Sequence, residues 1–374
     1  MFATSLTSLP SDGDASLHDE IRALVEQALS DGQWARYRCD LTDALRAEIA
    51  IQIGVETVRL CSSGSMAMEL ALRGCHLANG DEVICPALDY PGNVRAVRLL
   101  GATPVIVDCA PDRWTIDVDQ VASAGSPRTR AVVASHLYGE IAEVDRLRSI
   151  CDQRGWILVE DVCQVPGGKI GVRALGSFGH VSAFSFGGSK PITSGCGGAV
   201  VTQDRRIGQR IAAHAERPSD AYAISSLQAA VLLPQWRHLQ RLVKRQRDSL
   251  STLLENCQPR TTHWSWPRLP DERAPRSYYK IPIEIASSEQ GTAIEILRQH
   301  AQERLLQAGV AVGPPFRTLS KVLPGRGRLL GCQNADRQVA KNILLDHRAL
   351  IGPSEQLDRL ATTLIAVHDQ LGSE

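Results

Sequence analysis

Short apolar runs rich in Val and Ile recur between about residues 55 and 203 of the 374-residue chain. They are too short for helices and are bounded by Gly, Pro or Asp, which is typical of buried strands. Amphipathic helices are predicted between several of them, at Ser65–Leu77, Pro91–Leu100 and Glu143–Arg154. This alternation predicts an α/β fold with a mostly parallel sheet and right-handed crossovers. The predicted strands are Val55–Leu60, Glu82–Cys85, Pro104–Asp108, Ala131–Ser135, Trp156–Glu160, Val181–Phe186 and Gly198–Thr202.

The flanking segments predict a helical start and a smaller C-terminal unit. Residues 14–53 are predicted to be helical, and Leu227 to about Asn256 to form one long linking helix. A strand at Tyr278–Ile285, with helices near 289–308 and 354–371, then indicates a smaller α+β domain. We therefore expect an N-terminal helical segment at 1–54, a large domain at 55–240 and a small C-terminal domain at 241–374 that includes the linking helix.

Composition narrows the classes of function. Lys and Arg together number 41, as do Asp and Glu, so no net charge favours a nucleic acid or an anionic membrane as partner. No apolar stretch approaches the length of a membrane span, and the first residues lack the regions of a signal peptide. The basic stretch Arg237–Arg247 carries a buried stripe of Leu239, Leu242 and Val243, which favours a solvated helix over a nucleic-acid binder.

Ten cysteines are scattered along the chain without a Cys-x-x-Cys pair. Several fall inside apolar runs, where cysteine behaves as a small buried hydrophobe. A disulfide framework is not expected in a chain of this length, so we predict a reducing, cytoplasmic environment. Because no His/Cys group has zinc spacing, we also predict no metal site.

Lys190 and Asp161 have the clearest chemical meaning. Lys190 stands among glycines and hydroxyl residues just past a predicted strand, and Asp161 ends an earlier one. A lysine that can form a Schiff base and a carboxylate that can pair with a pyridine nitrogen are the two protein groups that pyridoxal 5'-phosphate (PLP) requires. Taken singly, Lys190 suits a solvated loop and Asp161 suits a helix cap. Together they predict a PLP site at the carboxyl ends of the strands.

A third segment, Cys61-Ser-Ser-Gly-Ser65, follows a strand and opens a helix. The free N–H groups of a helix N-terminus, together with the hydroxyls of Ser63 and Ser65, suit a phosphate. Gly64 allows the backbone to turn tightly. An ordinary capped helix is the alternative interpretation.

Three more polar or aromatic residues follow predicted strands. Tyr90 could cover one face of a flat ring, or could be a turn residue before Pro-Gly. Gln164 could reach a ring hydroxyl or remain a surface amide. His136 could contact substrate or be a satisfied core histidine.

In this order and context, the residues resemble the DegT/DnrJ/StrS family of PLP-dependent sugar or cyclitol aminotransferases. The resemblance covers nearly the whole chain and implies the aspartate-aminotransferase-like fold (PLP fold type I). Its most specific segments are Glu160-Asp-Val-Cys-Gln164 and the stretch from Phe184 through Lys190 to Gly198. Further matching segments are Ser30–Trp34, Ser62–Ser65, Gly101–Asp108, His136–Gly139 and Leu227–Ala230.

The resemblance implies a role for each matching residue. Lys190 would carry PLP as an internal aldimine and later move the proton, while Asp161 would pair with the ring nitrogen. Tyr90 would stack on the ring, Gln164 would lie near it, and the serine–glycine segment would hold the phosphate. The implied cofactor-binding set is Ser63, Gly64, Ser65, Tyr90, Asp161, Gln164, Ser185 and Lys190.

The resemblance also implies an activity: transfer of an amino group from glutamate or glutamine to a keto-sugar or keto-cyclitol, by a homodimer, in amino sugar biosynthesis. His136, Tyr138 and Arg317 could supply hydrogen bonds to such a hydroxylated substrate. The segments Phe316–Leu319 and Asp346–Leu350 are similar to those of the branch that acts on cyclitols and aminobenzoate-type precursors.

One segment departs from the family pattern. The family usually carries Asn-Tyr-Arg-Met, whose Asn reaches the phosphate of the neighbouring subunit, where this chain has Ala221-Tyr-Ala-Ile224. A PLP-binding protein without turnover, with a regulatory or structural role, is therefore the alternative to an enzyme.

Overall fold

The computed structural model describes residues 15–36, 38–217, 219–269, 273–286, 292–322 and 327–372. Its strands are β1 (Thr57–Cys61), β2 (Glu82–Pro86), β3 (Thr103–Val107), β4 (Thr129–Ser135), β5 (Ile157–Asp161), β6 (Lys169–Ile170), β7 (Arg173–Ala174), β8 (Val181–Ser185), β9 (Gly198–Thr202), β10 (Glu216–Arg217), β11 (Ser219–Asp220), β12 (Trp264–Ser265), β13 (Lys280–Ile285), β14 (Val312–Gly313), β15 (Arg328–Leu329) and β16 (Asn342–Asp346).

The helices alternate with these strands and then continue into the C-terminal region. They are α1 (Ala15–Ser30), α2 (Asp40–Ile53), α3 (Gly64–Gly74), α4 (Pro91–Leu99), α5 (Val118–Ala124), α6 (Val144–Arg154), α7 (Arg205–Ala215), α8 (Ser226–Arg237), α9 (Leu239–Cys257), α10 (Thr292–Gln307), α11 (Leu319–Val322), α12 (Gln333–Lys341) and α13 (Ser354–Gly372). Short 3₁₀ turns cover Gln33–Ala35 and His347–Leu350.

The large sheet has the strand order β1-β9-β8-β5-β4-β2-β3-β15. Strand β9 is antiparallel to β1 and β8, and the other neighbouring pairs are parallel. Each strand predicted between residues 55 and 203 is present, with ends displaced by no more than two residues. The predicted α/β class and mostly parallel sheet are confirmed.

Helices cover both faces of this sheet. On β4, Val132 and Ala134 belong to one apolar cluster and Ala131 and Val133 to the other, because successive strand side chains point to opposite faces. The first cluster includes buried residues of α2, α5, α6 and α8, and the second includes those of α3, α4 and α7. Burial on both sides explains why these strands are continuous apolar runs.

The C-terminal region contains a second, antiparallel sheet with the order β12-β13-β16-β14 and an apolar cluster of its own, confirming the predicted smaller α+β part. Part of this region returns to the large sheet. Strand β15 pairs in parallel with β3, and the Leu319 N–H donates to the Ala87 carbonyl at 2.8 Å. The domain boundaries at residues 54 and 240 stay a prediction.

The single linking helix expected from Leu227 to Asn256 is wrong. The segment forms α8 and α9, separated at His238. Leu233 and Trp236 of α8, with Leu239 at the start of α9, join the cluster beneath the large sheet, whereas Leu250 and Leu253 further along α9 join the C-terminal cluster. Hydrophobic periodicity did not reveal the break at His238, because apolar residues continue on both sides of it.

Candidate active site

Polar residues from several strand ends meet at one edge of the large sheet. Strands β1, β2, β4, β5 and β8 run in the same direction, so their carboxyl ends lie at the same edge. The segments that follow them carry most of the predicted site residues. The topology therefore gathers residues that lie far apart in sequence.

The turn between β1 and α3 forms a close-packed cradle at the start of a helix. Ser63 caps α3, its Oγ accepting from the Met66 N–H at 3.1 Å. A Cβ at Gly64 would lie only 2.5 Å from the Ser185 Cβ and 2.6 Å from its Oγ, so only glycine fits against the end of β8. The helix N-terminus, with the Ser65 and Ser185 hydroxyls beside it, suits a phosphate. The structure thus brings Ser63, Gly64, Ser65 and Ser185 of the predicted cofactor-binding set together.

An aromatic wall stands next to this cradle. The hydroxyl of Tyr90 is 3.4 Å from the Ser65 Oγ, and the residue is 44% exposed. The ring centroid of Phe316 lies 6.0 Å from that of Tyr90 and 5.9 Å from that of Tyr138. An exposed aromatic face beside a phosphate cradle can cover a planar ligand.

Asp161 is buried at the end of β5, and both of its oxygens have donors. Its Oδ1 accepts from the Cys163 N–H at 2.9 Å, and its Oδ2 accepts from the Asn93 side-chain amide at 2.8 Å. The same amide donates to the Oδ2 of Asp89 at 3.0 Å. Burial and then the charge of Asp161 raise the pKa of Asp89 to about 8. A fixed carboxylate of this kind can pair with a cationic ring nitrogen.

Gln164 is buried three residues after Asp161, and a backbone contact fixes its orientation. Its Oε1 accepts from the Tyr138 N–H at 3.1 Å. Because the oxygen is anchored in this way, the NH₂ group is the end that can donate to a ligand. This geometry agrees with a contact to a ring hydroxyl.

Lys190 lies in the loop after β8. Its backbone N–H donates to the Gly187 carbonyl at 2.9 Å, which forms a turn. The Nζ lies 4.1 Å from the centroid of the Tyr279 ring, a cation–π contact. The Ser189 Oγ is also 3.0 Å from the Tyr279 hydroxyl. Burial and the Asp161 carboxylate raise the pKa of the Cys163 thiol, while the charge of Lys190 lowers it. Lys190 is therefore within electrostatic reach of the turn that holds Asp161.

The three predicted substrate contacts differ in their surroundings. The Nδ1 of His136 accepts from the Ala142 N–H at 3.0 Å and its Nε2 lies 3.2 Å from the Glu160 carboxylate, so both ring nitrogens are engaged. This favours the core-histidine interpretation over substrate contact. The buried Tyr138 hydroxyl accepts from the Phe316 N–H at 2.9 Å. Arg317 is exposed next to Phe316, where it can reach a substrate.

Sequence reasoning missed three residues of this site: Asp89, Asn93 and Tyr279. The spacing of Asp89 and Asn93 is a usable signal, because residues four apart across a helix start lie on one side of it. Tyr279 comes just before β13 of the second sheet. Its position over Lys190 depends on how the two sheets approach each other, which no local pattern encodes.

Other features bear on the class of protein. Among the residues that the structure describes, no helix has both the length and the apolarity that a membrane crossing needs. Within the same residues, no group of three or more His, Cys, Asp or Glu side chains could hold a metal ion.

Comparisons with known proteins agree with this geometry. The profile of the DegT/DnrJ/EryC1/StrS aminotransferase family matches residues 15–364. The L-glutamine:2-deoxy-scyllo-inosose aminotransferase of Streptoalloteichus tenebrarius is 29% identical, over 92% of this chain and 91% of that protein. The GDP-perosamine synthase of Escherichia coli O157:H7 is 30% identical, over 62% of this chain and 67% of that protein.

Solved structures show the same fold. The crystal structure of 3-amino-5-hydroxybenzoic acid synthase matches with a TM-score of 0.83 and 25% identity, over 94% of this chain and 97% of that chain. DesV of S. venezuelae matches with a TM-score of 0.81 and 26% identity, over 94% of this chain and 95% of that chain. The likeness therefore spans both sheets.

Proposed function

Because this chain belongs to the DegT/DnrJ/EryC1/StrS aminotransferase family, we propose that it uses PLP to transfer an amino group from glutamate or glutamine to a keto-sugar or keto-cyclitol. The observation that carries the proposal is the meeting of three groups at one sheet edge. These are the cradle at Gly64, the buried carboxylate of Asp161 and the amine of Lys190.

The residues at this edge fit PLP in their chemistry. The cradle has no room for a Cβ at Gly64, and the hydroxyls of Ser65 and Ser185 would bind the phosphate. Asp161 would pair with the ring nitrogen, the Gln164 NH₂ would donate to the ring hydroxyl, and Tyr90 would cover the ring. When bound, PLP supplies an electron-accepting ring that stabilises negative charge on the α-carbon of an amino acid.

Lys190 has two tasks in this proposal. Its Nζ would hold the cofactor covalently through the carbonyl carbon. The freed Nζ would then carry a proton to or from the donor's α-carbon, as a general base and acid. The ring of Tyr279, 4.1 Å from the Nζ, holds the amine close to the strand ends.

The substrate class rests on the similar proteins. One of them is named for glutamine and a cyclitol ketone, and another for a perosamine sugar, which supports a polyhydroxylated ketone as acceptor. Arg317, exposed beside the aromatic wall, is the proposed contact for its hydroxyls. Tyr138 would act indirectly, because its hydroxyl and N–H hold Phe316 and Gln164.

We extend the proposal to assembly and location. A homodimer is expected, and sedimentation equilibrium would reveal it as twice the chain mass. All ten cysteines are unpaired, which supports a reducing cytoplasm.

Borohydride trapping tests the attachment residue. Reduction of the protein with bound PLP should fix the cofactor permanently to the peptide that contains Lys190, as detected by mass spectrometry. Lys190→Ala should give no fixed cofactor and no transamination, whereas the control Lys169→Ala should behave as wild type. Cofactor fixed to another lysine, or turnover by Lys190→Ala, would refute the assignment.

A spectral titration separates the enzyme from the alternative without turnover. Glutamate or glutamine should shift the absorbance of the bound cofactor, and a suitable keto-sugar or keto-cyclitol should restore it. A cofactor that is fixed to Lys190 but unchanged by every amino donor would favour the regulatory or structural role.

A further inference from the structure

Asp161 belongs to a network that joins three strand ends. Asn93, in the first turn of α4, is 2% exposed, and its Nδ2 is 2.8 Å from the Asp161 Oδ2 and 3.0 Å from the Asp89 Oδ2. A longer contact of 3.5 Å reaches the Ser135 Oγ at the end of β4. One amide group therefore links the segment after β2 to the ends of β4 and β5.

Asp89 places a second carboxyl group in this network. It is fully buried, and its Oδ1 accepts from the Tyr90 N–H at 2.7 Å. Since one nitrogen is within hydrogen-bond distance of both carboxyl groups, they lie only a few ångström apart. Two buried carboxyl groups this close oppose each other's ionisation, which raises the pKa of one of them.

The surroundings decide which group keeps the proton. Burial, and then the charge of Asp161, raise the pKa of Asp89 to about 8, so Asp89 is the neutral member at pH 7. Asp89 in turn raises the pKa of three buried groups, Cys85, Cys109 and Tyr138, all of which ionise to anions.

Two carboxyl groups in direct contact would share one proton and one negative charge, as a coupled pair does. Asn93 prevents this sharing, because its NH₂ group donates one hydrogen to each carboxyl group. It also fixes the Oδ2 of Asp161, whose Oδ1 is already held by the Cys163 N–H.

We propose that Asn93 and Asp89 form a positioning pair for Asp161, which keeps the negative charge of the network on the carboxylate that pairs with the cofactor ring nitrogen. This role rests on the function proposed above. Neither residue needs to touch the cofactor; both act through Asp161.

The ring nitrogen itself reports on this role. Protein loaded with PLP that carries ¹⁵N in the ring gives a nitrogen chemical shift that distinguishes the protonated from the unprotonated ring. Wild type should show the protonated value. Asn93→Ala should move the shift toward the unprotonated value and raise the PLP dissociation constant on the order of tenfold, as expected for one lost hydrogen bond to a charged group.

A matched control separates this role from simple loss of stability. Asn342 is also 2% exposed, and its Nδ2 donates to the Gln338 carbonyl at 2.9 Å and to the Gln338 Oε1 at 3.0 Å. Asn342→Ala should lose comparable thermal stability while the nitrogen shift stays at the wild-type value. Asn93→Ser, which keeps one donor but cannot reach both carboxyl groups, should give an intermediate shift and serves if Asn93→Ala does not fold.

The outcomes distinguish this proposal from the one on which it rests. If Asp161→Asn lowers ring protonation but folded Asn93→Ala or Asn93→Ser keeps the wild-type shift and affinity, the positioning role is overturned while the function stands. If Asp161→Asn leaves the ring nitrogen protonated, the role of Asp161 fails and the positioning pair fails with it.

Discussion

Replacing Gly64 by Ala tests the phosphate cradle directly. The new Cβ would lie 2.5 Å from the Ser185 Cβ, 2.6 Å from its Oγ and 3.2 Å from its Cα. Carbon atoms in good contact are roughly 3.5–4.0 Å apart, so the two segments must separate by about 1 Å. The backbone of Ser185 resists this movement because it pairs with Gly198 of β9. Gly198 is itself closely packed, since a Cβ there would lie 2.5 Å from the Ser63 carbonyl oxygen.

The free energy of unfolding should fall by about 1–2 kcal/mol. Overpacking a well-packed site costs roughly 1–3 kcal/mol. Alanine recovers part of this loss, because it favours a helix interior over glycine by up to about 1 kcal/mol and Gly64 opens α3. PLP should bind at least about tenfold more weakly, since the separated segments no longer hold one phosphate together.

A double-mutant cycle identifies the cause. Ser185→Gly removes the two atoms nearest to the new Cβ, so Gly64→Ala/Ser185→Gly should be more stable than the sum of the single effects predicts. Urea unfolding of the cofactor-free protein measures the coupling, which we expect to be about 1 kcal/mol. PLP titration should show no recovery of affinity, because the Ser185 hydroxyl is absent.

Two results would contradict this reasoning. One is additivity of the two substitutions within about 0.5 kcal/mol, which would mean that the contact does not cause the loss. The other is full PLP affinity in Gly64→Ala. Gly372→Ala is the control, because a Cβ there meets open space, and it should change stability by less than about 0.5 kcal/mol.

Three other groups give predictions that urea unfolding can check. In the folded protein Asp89 keeps a proton that the unfolded chain releases above about pH 4. The free energy of unfolding should therefore fall by about 1.4 kcal/mol per pH unit up to the Asp89 pKa of about 8. Asp89→Asn should remove this slope, and an unchanged slope would refute the prediction. Burial lowers the pKa of His347 to about 4, so the stability that its neutral ring contributes should be lost as the pH falls from about 6.5 toward about 4. His347→Gln should not show this loss, and equal acid sensitivity of the two proteins would contradict the prediction. Glu160→Gln should lose about 2–4 kcal/mol, because Glu160 is fully buried and bound to His136, and a loss below 1 kcal/mol would contradict this.

The sequence predicted the large sheet well, because a strand buried on both faces is a continuous apolar run whatever its neighbours are. It placed Asp161 and Lys190 at the same sheet edge for a related reason: residues just past parallel strands meet at one edge whatever their separation in the chain. The C-terminal region was harder. Strand β14 has only two residues, Val312 and Gly313, and is a strand only because β16 lies beside it.

The missed site residues show a different limit. A buried Asn such as Asn93 has the same local sequence signature as a surface one in the first turn of a helix. The sheet brings the end of β5 beside α4, and only this contact shows that the Asn93 amide donates to Asp161. Tyr279 was missed for a similar reason: its cation–π contact is with Lys190, which follows a strand of the other sheet.

The end of β5 shows how one strand supports both structure and chemistry. Its last two side chains point to opposite faces, as on any strand. Glu160 points into the protein and accepts from the N–H groups of Gly176, Phe178 and Gly179 at 2.7 to 3.0 Å, while Asp161 points to the site. These bonds hold the strand end from one face, and Asn93 holds the carboxylate of Asp161 from the other. The carboxylate is therefore oriented before any ligand binds, which is what a partner for a cationic ring nitrogen requires.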